Sequence, residues 1–207
     1  MAEVNEKDAA TIAYTLRGSR YLNITSRCTL RCAFCPKFNG SWEVKQYELR
    51  LRREPSVEAI IAAVGEEPAR YREVVFCGLG EPTRRLDVML EVAGWLRGKG
   101  ARVRVNTDGL ASLIHQRDVT PEFAGRVDAV SISMNAQDES LYNRHCRPRH
   151  AEAFSAMLAF SRQIQKHVPE VVMTAIDGLP GVDITACRRL AREIGATFRR
   201  RVLDVVG

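Results

Sequence analysis

The sequence predicts an α/β fold: an open, six-stranded (βα)6 partial barrel with mostly parallel strands. Three observations carry this. Short apolar runs alternate with stretches of helical spacing along the 207 residues, the pattern of a parallel sheet with right-handed crossovers. Six such runs are too few to close an eight-stranded barrel. Polar, glycine-containing segments follow the strands, at the end where parallel sheets of this kind carry their sites.

Residues 1–20 read as an N-terminal segment and residues 21–207 as a single core domain, a length that suits one well-packed unit. Tyr21-Leu22-Asn23-Ile24-Thr25 is the first strand. Ser56, after Pro55, caps a helix with Val57, Ile60, Ile61 and Val64 on one face, stopped by Gly65. Glu73-Val74-Val75-Phe76-Cys77 is a buried second strand. Leu86, Met89, Leu90, Ala93 and Leu96 repeat at helical spacing, and Lys99-Gly100 closes that helix. Arg102-Val103-Arg104-Val105 is the third strand, and residues 128–134 are the fourth. Residues 150–166 are helical, with Phe154, Met157, Leu158 and Ile164 on one stripe. Residues 171–176 are the fifth strand. Asp183 caps a last helix whose apolar face is Ile184, Cys187, Leu190, Ala191 and Ile194, ended by Gly195. Residues 198–206 are the sixth strand.

Composition narrows the class. The chain is 45% hydrophobic and 27% charged, ordinary for a soluble globular protein. No apolar run approaches the ~20 residues that span a bilayer. Residues 1–10 are polar and acidic, unlike a secretory signal. Six cysteines are too few for a disulfide scaffold, and clustered thiolates need a reducing compartment, so the expected location is cytoplasmic. The net charge of +6 admits an anionic substrate or nucleic acid and demands neither. The arginine groups at 50–53, 144–149 and 199–201 read as solvated faces.

Cys28, Cys32 and Cys35 stand in C-x3-C-x2-C spacing. Three thiolates on one short loop can hold three irons of a four-iron cubane. The fourth iron is then open to a ligand that is not protein. Zinc would want four ligands in paired short spacings, and the sequence has neither a second C-x2-C nor a histidine beside this loop. Other polar residues follow the later strands. Gly78 and Gly80 allow close backbone approach to a ligand, and Glu81 follows them. Asn106-Thr107-Asp108-Gly109 has the chemistry of a site and also of an ordinary turn. Alternation puts Ser131, Ser133 and Asn135 on one face of the fourth strand, and polar groups facing into a barrel are costly unless they bind something. Cys187 reads as core, Cys77 ends a buried strand, and Cys146 falls in a polar loop. Lys37, Trp42 and Lys45, after the cysteine loop, face either substrate or solvent.

The cysteine spacing, with Phe34 before the third cysteine and Pro36 after it, resembles the radical S-adenosylmethionine (radical SAM) superfamily. The resemblance runs from Tyr21 to Val206 and implies the same partial barrel. It implies one [4Fe-4S] cluster on Cys28, Cys32 and Cys35, with S-adenosylmethionine chelating the open iron. Its activity would be reductive cleavage of that molecule to a 5′-deoxyadenosyl radical, which abstracts hydrogen from an unidentified substrate. Phe34, Gly78, Gly80, Glu81, Asn106, Asp108, Ser133, Asn135 and Ile176 would shape the cofactor site, with Ile176 against the adenine. An electron donor such as flavodoxin or ferredoxin is implied. The strings Tyr-Leu-Asn-Ile-Thr, Phe-Cys-Gly-Leu-Gly-Glu-Pro-Thr and Ser-Ile-Ser-Met-Asn-Ala look like the small TatD-associated members. Two other classes stay open: a glycyl-radical-enzyme activase acting on a protein, and a non-catalytic Fe–S or zinc module. The activases carry an Asp and a Lys where this chain has Ser133 and Asn135. Because the sequence ends at the sixth strand, cover for the open barrel is expected from a protein partner, a large substrate, or residues 36–55.

Overall fold

The computed structural model describes residues 11–203. A hairpin opens it: β1 (Ala13–Leu16) pairs antiparallel with β2 (Ser19–Leu22). Its turn is Arg17-Gly18, both at positive φ. The chain then builds β5 (Val74–Phe76), β6 (Val103–Thr107), β7 (Ala129–Ser133), β8 (Glu170–Asp177) and β9 (Thr197–Val202). Between β2 and β5 lies a small separate hairpin, β3 (Glu43–Val44) with β4 (Tyr47–Glu48). The main sheet has seven strands in the order β1-β2-β5-β6-β7-β8-β9. Every pairing from β2 onward is parallel.

The sheet thus contains one strand more than the sequence predicts. Four-residue strands around a two-residue turn are too short to show a period, so β1 was hidden inside the N-terminal segment. The first parallel strand also ends sooner than expected. Asn23 leaves the ladder, its N–H donating to the Ile12 carbonyl at 2.8 Å. Residues 204–206 of the expected last strand lie outside the described residues.

Helices fill the crossovers: α1 (Val57–Val64), α2 (Leu86–Gly98), α3 (Ala111–Ile114), α4 (Glu139–Cys146), α5 (Ala153–Ile164) and α6 (Ile184–Ile194). Ser56 and Asp183 cap α1 and α6 as expected. α4 corrects the loop expected around Cys146. Its sequence, ESLYNRHC, carries almost no apolar stripe, so only its cap gives it away: the Asp138 carboxylate accepts from the Leu141 N–H at 2.9 Å.

One face of the sheet meets the helices. Leu22, Val74, Phe76, Val103, Val105, Val130, Ile132, Met173 and Ala175 are buried there with Ile60, Met89, Leu96, Met157, Phe160 and Ala191. Burying each large side chain contributes roughly 1.5–3 kcal/mol, so this one-sided core drives folding. Strand alternation sends the other set inward. This inner face carries Tyr21, Val75, Arg104, Asn106, Ser131, Ser133, Thr174, Arg199 and Arg201. Residues 36–55 cover part of it. The Tyr47 ring lies 5.2 Å from Tyr14, Leu49 is fully buried, and the Asn23 amide donates to the Leu49 carbonyl at 2.9 Å. That cover lies over β1 and β2. At the opposite edge Arg199 and Arg200 stand exposed.

Candidate active site

Residues 23–35 leave the C-terminal end of β2 and carry the three cysteines. Two distant segments, and Lys37 just beyond its end, pin this loop. The Glu81 N–H donates to the Arg27 carbonyl at 2.8 Å. The N–H groups of Arg31 and Ala33 donate to the carbonyls of Cys146 and His145, at 3.0 and 2.8 Å, at the end of α4. The Lys37 ammonium donates to the Ser26 carbonyl at 2.6 Å. Cys35 then precedes a 3-10 turn, Pro36–Asn39.

Gly78 and Gly80 hold the loop from below. A Cβ on Gly78 would sit 2.2 Å from the Asn23 Oδ1, and one on Gly80 would sit 2.1 Å from the Thr25 carbonyl oxygen. The close approach expected toward a ligand is therefore made toward the base of the cysteine loop.

Cys28, Cys32 and Cys35 are free thiols, each partly exposed. Burial first, then the nearby Asp108 and Glu81 carboxyls, push the Cys28 thiol up to about 12. The Cys146 thiol, in hydrogen-bonding contact, and burial push Cys32 well up. Such thiols stay neutral beside other protein groups, and a bound cation reverses that preference. Among the described residues no three His, Cys, Asp or Glu side chains gather round a single ion. Sulfurs that each take a separate iron need no such convergence, so the donor set suits a cluster.

The other expected residues converge on the same end of the sheet, in two groups. One group points into protein. Glu81 is 3% exposed, and its carboxylate accepts from the Thr83 N–H at 3.0 Å, the Thr83 hydroxyl at 2.7 Å, the Thr107 hydroxyl at 2.8 Å and the Asp108 N–H at 2.7 Å. It bolts the end of β5 to the end of β6. Asp108 lies behind it, accepting from the Leu110 N–H at 3.0 Å. Burial first, and the Glu81 carboxylate second, push the Asp108 carboxyl well above its ordinary range. Asn135, at φ 60°, donates weakly to the Cys146 sulfur at 3.6 Å. Its Oδ1 and the Tyr142 hydroxyl are buried without hydrogen-bond partners among the described residues.

The second group lines the inner face. Asn106 accepts from Arg104 at 2.9 Å, and its side chain bonds the Cys77 thiol. Ser133 is partly exposed one strand over, two residues beyond Ser131, the register partner of Asn106. Ile176, 4% exposed, lies one residue before the end of β8, and Phe34 packs partly buried against the core. Lys37 closes the gap toward the Leu79 carbonyl, and Trp42 lies between Lys37 and Arg50 at 5.4 and 5.7 Å. Lys45, at φ 56°, is the exposed turn of the small hairpin. Sequence reasoning missed Arg104, Arg199, Arg201 and Tyr142. The alternation Arg102-Val103-Arg104-Val105 already held the signal for the first of these.

A parallel half-barrel whose first parallel strand runs into three free cysteines is the core of a cluster-bearing enzyme. A model of the radical SAM superfamily matches residues 22–194. The chain belongs to that superfamily, whose enzymes hold a [4Fe-4S] cluster and S-adenosylmethionine. A curated relative, the tungsten-containing aldehyde ferredoxin oxidoreductase cofactor-modifying protein of Pyrococcus furiosus, is 28% identical over 169 residues. That alignment covers 74% of this chain and 43% of the relative. Solved structures share the fold. TYW1 with a lysine-pyruvate adduct bound superposes with a TM-score of 0.63 at 15% identity, over 91% of this chain and 66% of that one. SuiB of Streptococcus suis bound to S-adenosylmethionine gives 0.60 at 12% identity, over 90% and 38%. The FeFe-hydrogenase maturase HydG of Carboxydothermus hydrogenoformans gives 0.60 at 16% identity, over 91% and 44%. The chain thus spans less than two thirds of each of these proteins. Among the described residues no helix is long and apolar enough to cross a membrane.

Proposed function

We propose that the protein cleaves S-adenosylmethionine reductively and abstracts a hydrogen atom from a substrate held on the inner face. The observation that carries this is the placement of three free cysteines over the C-terminal mouth of a sheet whose inner face is polar. When bound, the cluster and S-adenosylmethionine supply a 5′-deoxyadenosyl radical. Cys28, Cys32 and Cys35 would ligate three irons. Glu81 acts as a positioning residue: its four hydrogen bonds fix the backbone of residues 78–83 under the loop. Gly78 and Gly80 hold that loop flush to the sheet. Asn106, Ser133 and Ile176 face the space where S-adenosylmethionine would lie, and the buried Asn135 Oδ1 and Tyr142 hydroxyl offer unused polar capacity at its edge. An electron donor of the flavodoxin or ferredoxin type would dock on the outside of the cysteine loop, whose three thiols are each partly exposed. The curated relative is named for modifying a cofactor, which supports a core that performs chemistry rather than mere binding.

The test is anaerobic reconstitution with iron and sulfide. Wild-type protein should then form 5′-deoxyadenosine when a strong reductant and S-adenosylmethionine are added. Cys28→Ala, Cys32→Ala and Cys35→Ala should each lose both the cluster absorbance and the product, while Cys187→Ala keeps both. Product formation by a cluster-free variant would sink the reading.

A further inference from the structure

We propose that the inner face binds a small anionic molecule, carrying a carboxylate or a phosphate, through Arg199 and Arg201 with Arg104 behind them. That this anion is the substrate rests on the reading above; that it binds does not.

The argument starts from alternation in β9. Arg199 and Arg201 pair in register with Thr174 and Ile176 of β8 and so share the inner face with Ser133, which pairs with Thr174. Arg104 enters the same face from β6. The face also carries the carboxylate of Glu73, and Arg104 engages both its oxygens, at 2.9 and 3.1 Å. Arg104 also donates to Asn106. Among the described residues Arg199 hydrogen-bonds a neutral partner, donating to the Ser131 hydroxyl at 3.1 Å. Among the described residues no carboxylate pairs with Arg199 or Arg201. The contrast lies between them: Arg200, facing the other way, donates to Asp177 at 2.7 Å.

Three guanidinium groups therefore share one wall with one carboxylate. The charges crowd each other. Partial burial of its inward side first, then the positive charges of Arg104 and Arg201, hold the Arg199 guanidinium below its usual range against the opposing pull of Tyr21 and Glu73. The Arg104 and Arg201 charges also act on the Cys77 thiol at the end of β5, so they project across the face. An excess of positive charge along one wall raises the local concentration of anions. Guanidinium forks match carboxylate and phosphate oxygens in pairs. Arg201 lies opposite Ile176, at the same end of the sheet as the cysteine loop. An anionic head held there leaves the rest of the molecule beside Cys77, Asn106 and Ser133, beneath the cysteines. Residues 36–55 cover the β1–β2 side and leave this side accessible.

Titration calorimetry on cluster-free protein, at fixed ionic strength, tests this with citrate and with pyrophosphate. Saturable binding of at least one is expected, and which one binds tells carboxylate from phosphate. Arg199→Gln with Arg201→Gln should weaken it by about tenfold or more, the scale of a lost charge-assisted hydrogen bond. Arg199→Lys with Arg201→Lys, which keeps charge on the strand, should retain part of the affinity. Arg188→Gln, on α6 at the outer side, should change nothing. Unliganded melting temperatures check that each variant folds. Four results would overturn the proposal: no saturable binding of either anion, equal loss in Arg188→Gln, unchanged affinity in the double Gln variant with only increased aggregation, or capture of a single-stranded oligonucleotide when neither small anion binds. The measurement needs neither cluster nor S-adenosylmethionine. Its failure leaves 5′-deoxyadenosine formation untouched, and the failure of that reaction leaves the anion site standing.

Discussion

Gly80 has space for a hydrogen and nothing more, because the Thr25 and Arg27 carbonyl oxygens would lie 2.1 and 2.8 Å from any Cβ. Backbone cannot step aside as a side-chain tip can. Gly80→Ala should therefore destabilise by about 1–3 kcal/mol, the range for overpacking, and lower the iron retained after reconstitution. Gly94 is the internal control, a glycine inside α2 with nothing within 4 Å of its would-be Cβ. Gly94→Ala should stabilise by about 0.5–1 kcal/mol through helix propensity alone. Urea midpoints of the two variants read the difference, and equal shifts would show that the loop is not held from below. The sequence marks Gly78 and Gly80 as sites of close approach but cannot say what approaches, since Asn23 and Thr25 are more than fifty residues earlier. Asp108 adds a pH prediction. Its carboxyl is pushed well above its ordinary 3.8 by burial and by Glu81. A group that holds its proton more tightly when folded contributes fully below its unfolded value, and that contribution fades as pH rises through the folded value. The urea midpoint of cluster-free wild type should thus decline above about pH 4 relative to Asp108→Asn. The amide still accepts the Leu110 N–H and carries no charge. Parallel pH curves for the two proteins would remove Asp108 from this role.

At the level of elements, α4 and α6 offer a matched pair. Asp138 caps the first through Leu141, and Asp183 caps the second through Thr185 and Ala186. Replacing either with Ala should cost about 1 kcal/mol, the usual worth of such a cap. The consequences should differ. The last turn of α4 receives the N–H groups of Arg31 and Ala33 from the cysteine loop, whereas α6 packs on α5, β8 and β9, away from that loop. Asp138→Ala should then also lower cluster retention, and Asp183→Ala should not. Iron content per chain at equal stability separates them; equal retention would mean that α4 does not hold the loop. Legibility differed in the same way. α6 could be read because Ile184, Cys187, Ala191 and Ile194 form a strong stripe. α4 could not, because tertiary contacts hold it: Tyr142, His145 and Cys146 are its buried residues, and the His145 ring bonds the Pro180 carbonyl at 2.9 Å.

Across the whole molecule, the parallel order of the strands was legible because each buried run and each helical stripe has a period of its own. The seventh strand was not, since β1 is four residues long and contributes one buried side chain, Tyr14. The inner face was half legible. Ser131, Ser133 and Asn106 stood out as polar residues on strands, while the arginines of β9 passed as a solvated run because three charges in sequence hide a period of two. The face they make also predicts how ionic strength acts. Raising salt should stabilise the cluster-free protein more in wild type than in the variant carrying both Arg199→Gln and Arg201→Gln, since screening relieves repulsion only where it exists. Melting curves across a potassium chloride series check this, and identical slopes would show that the guanidiniums do not sense one another. The anchoring of the cysteine loop, finally, sets a timetable. Two of its struts come from Glu81 and from the end of α4, both made later than the cysteines themselves. Chains grow at about 5–20 residues per second, so for some seconds three thiols are made but lack those two struts. Metal given to the nascent chain in that interval would meet a floppy ligand set, and delivery has to wait until residue 146 has been added and α4 has docked.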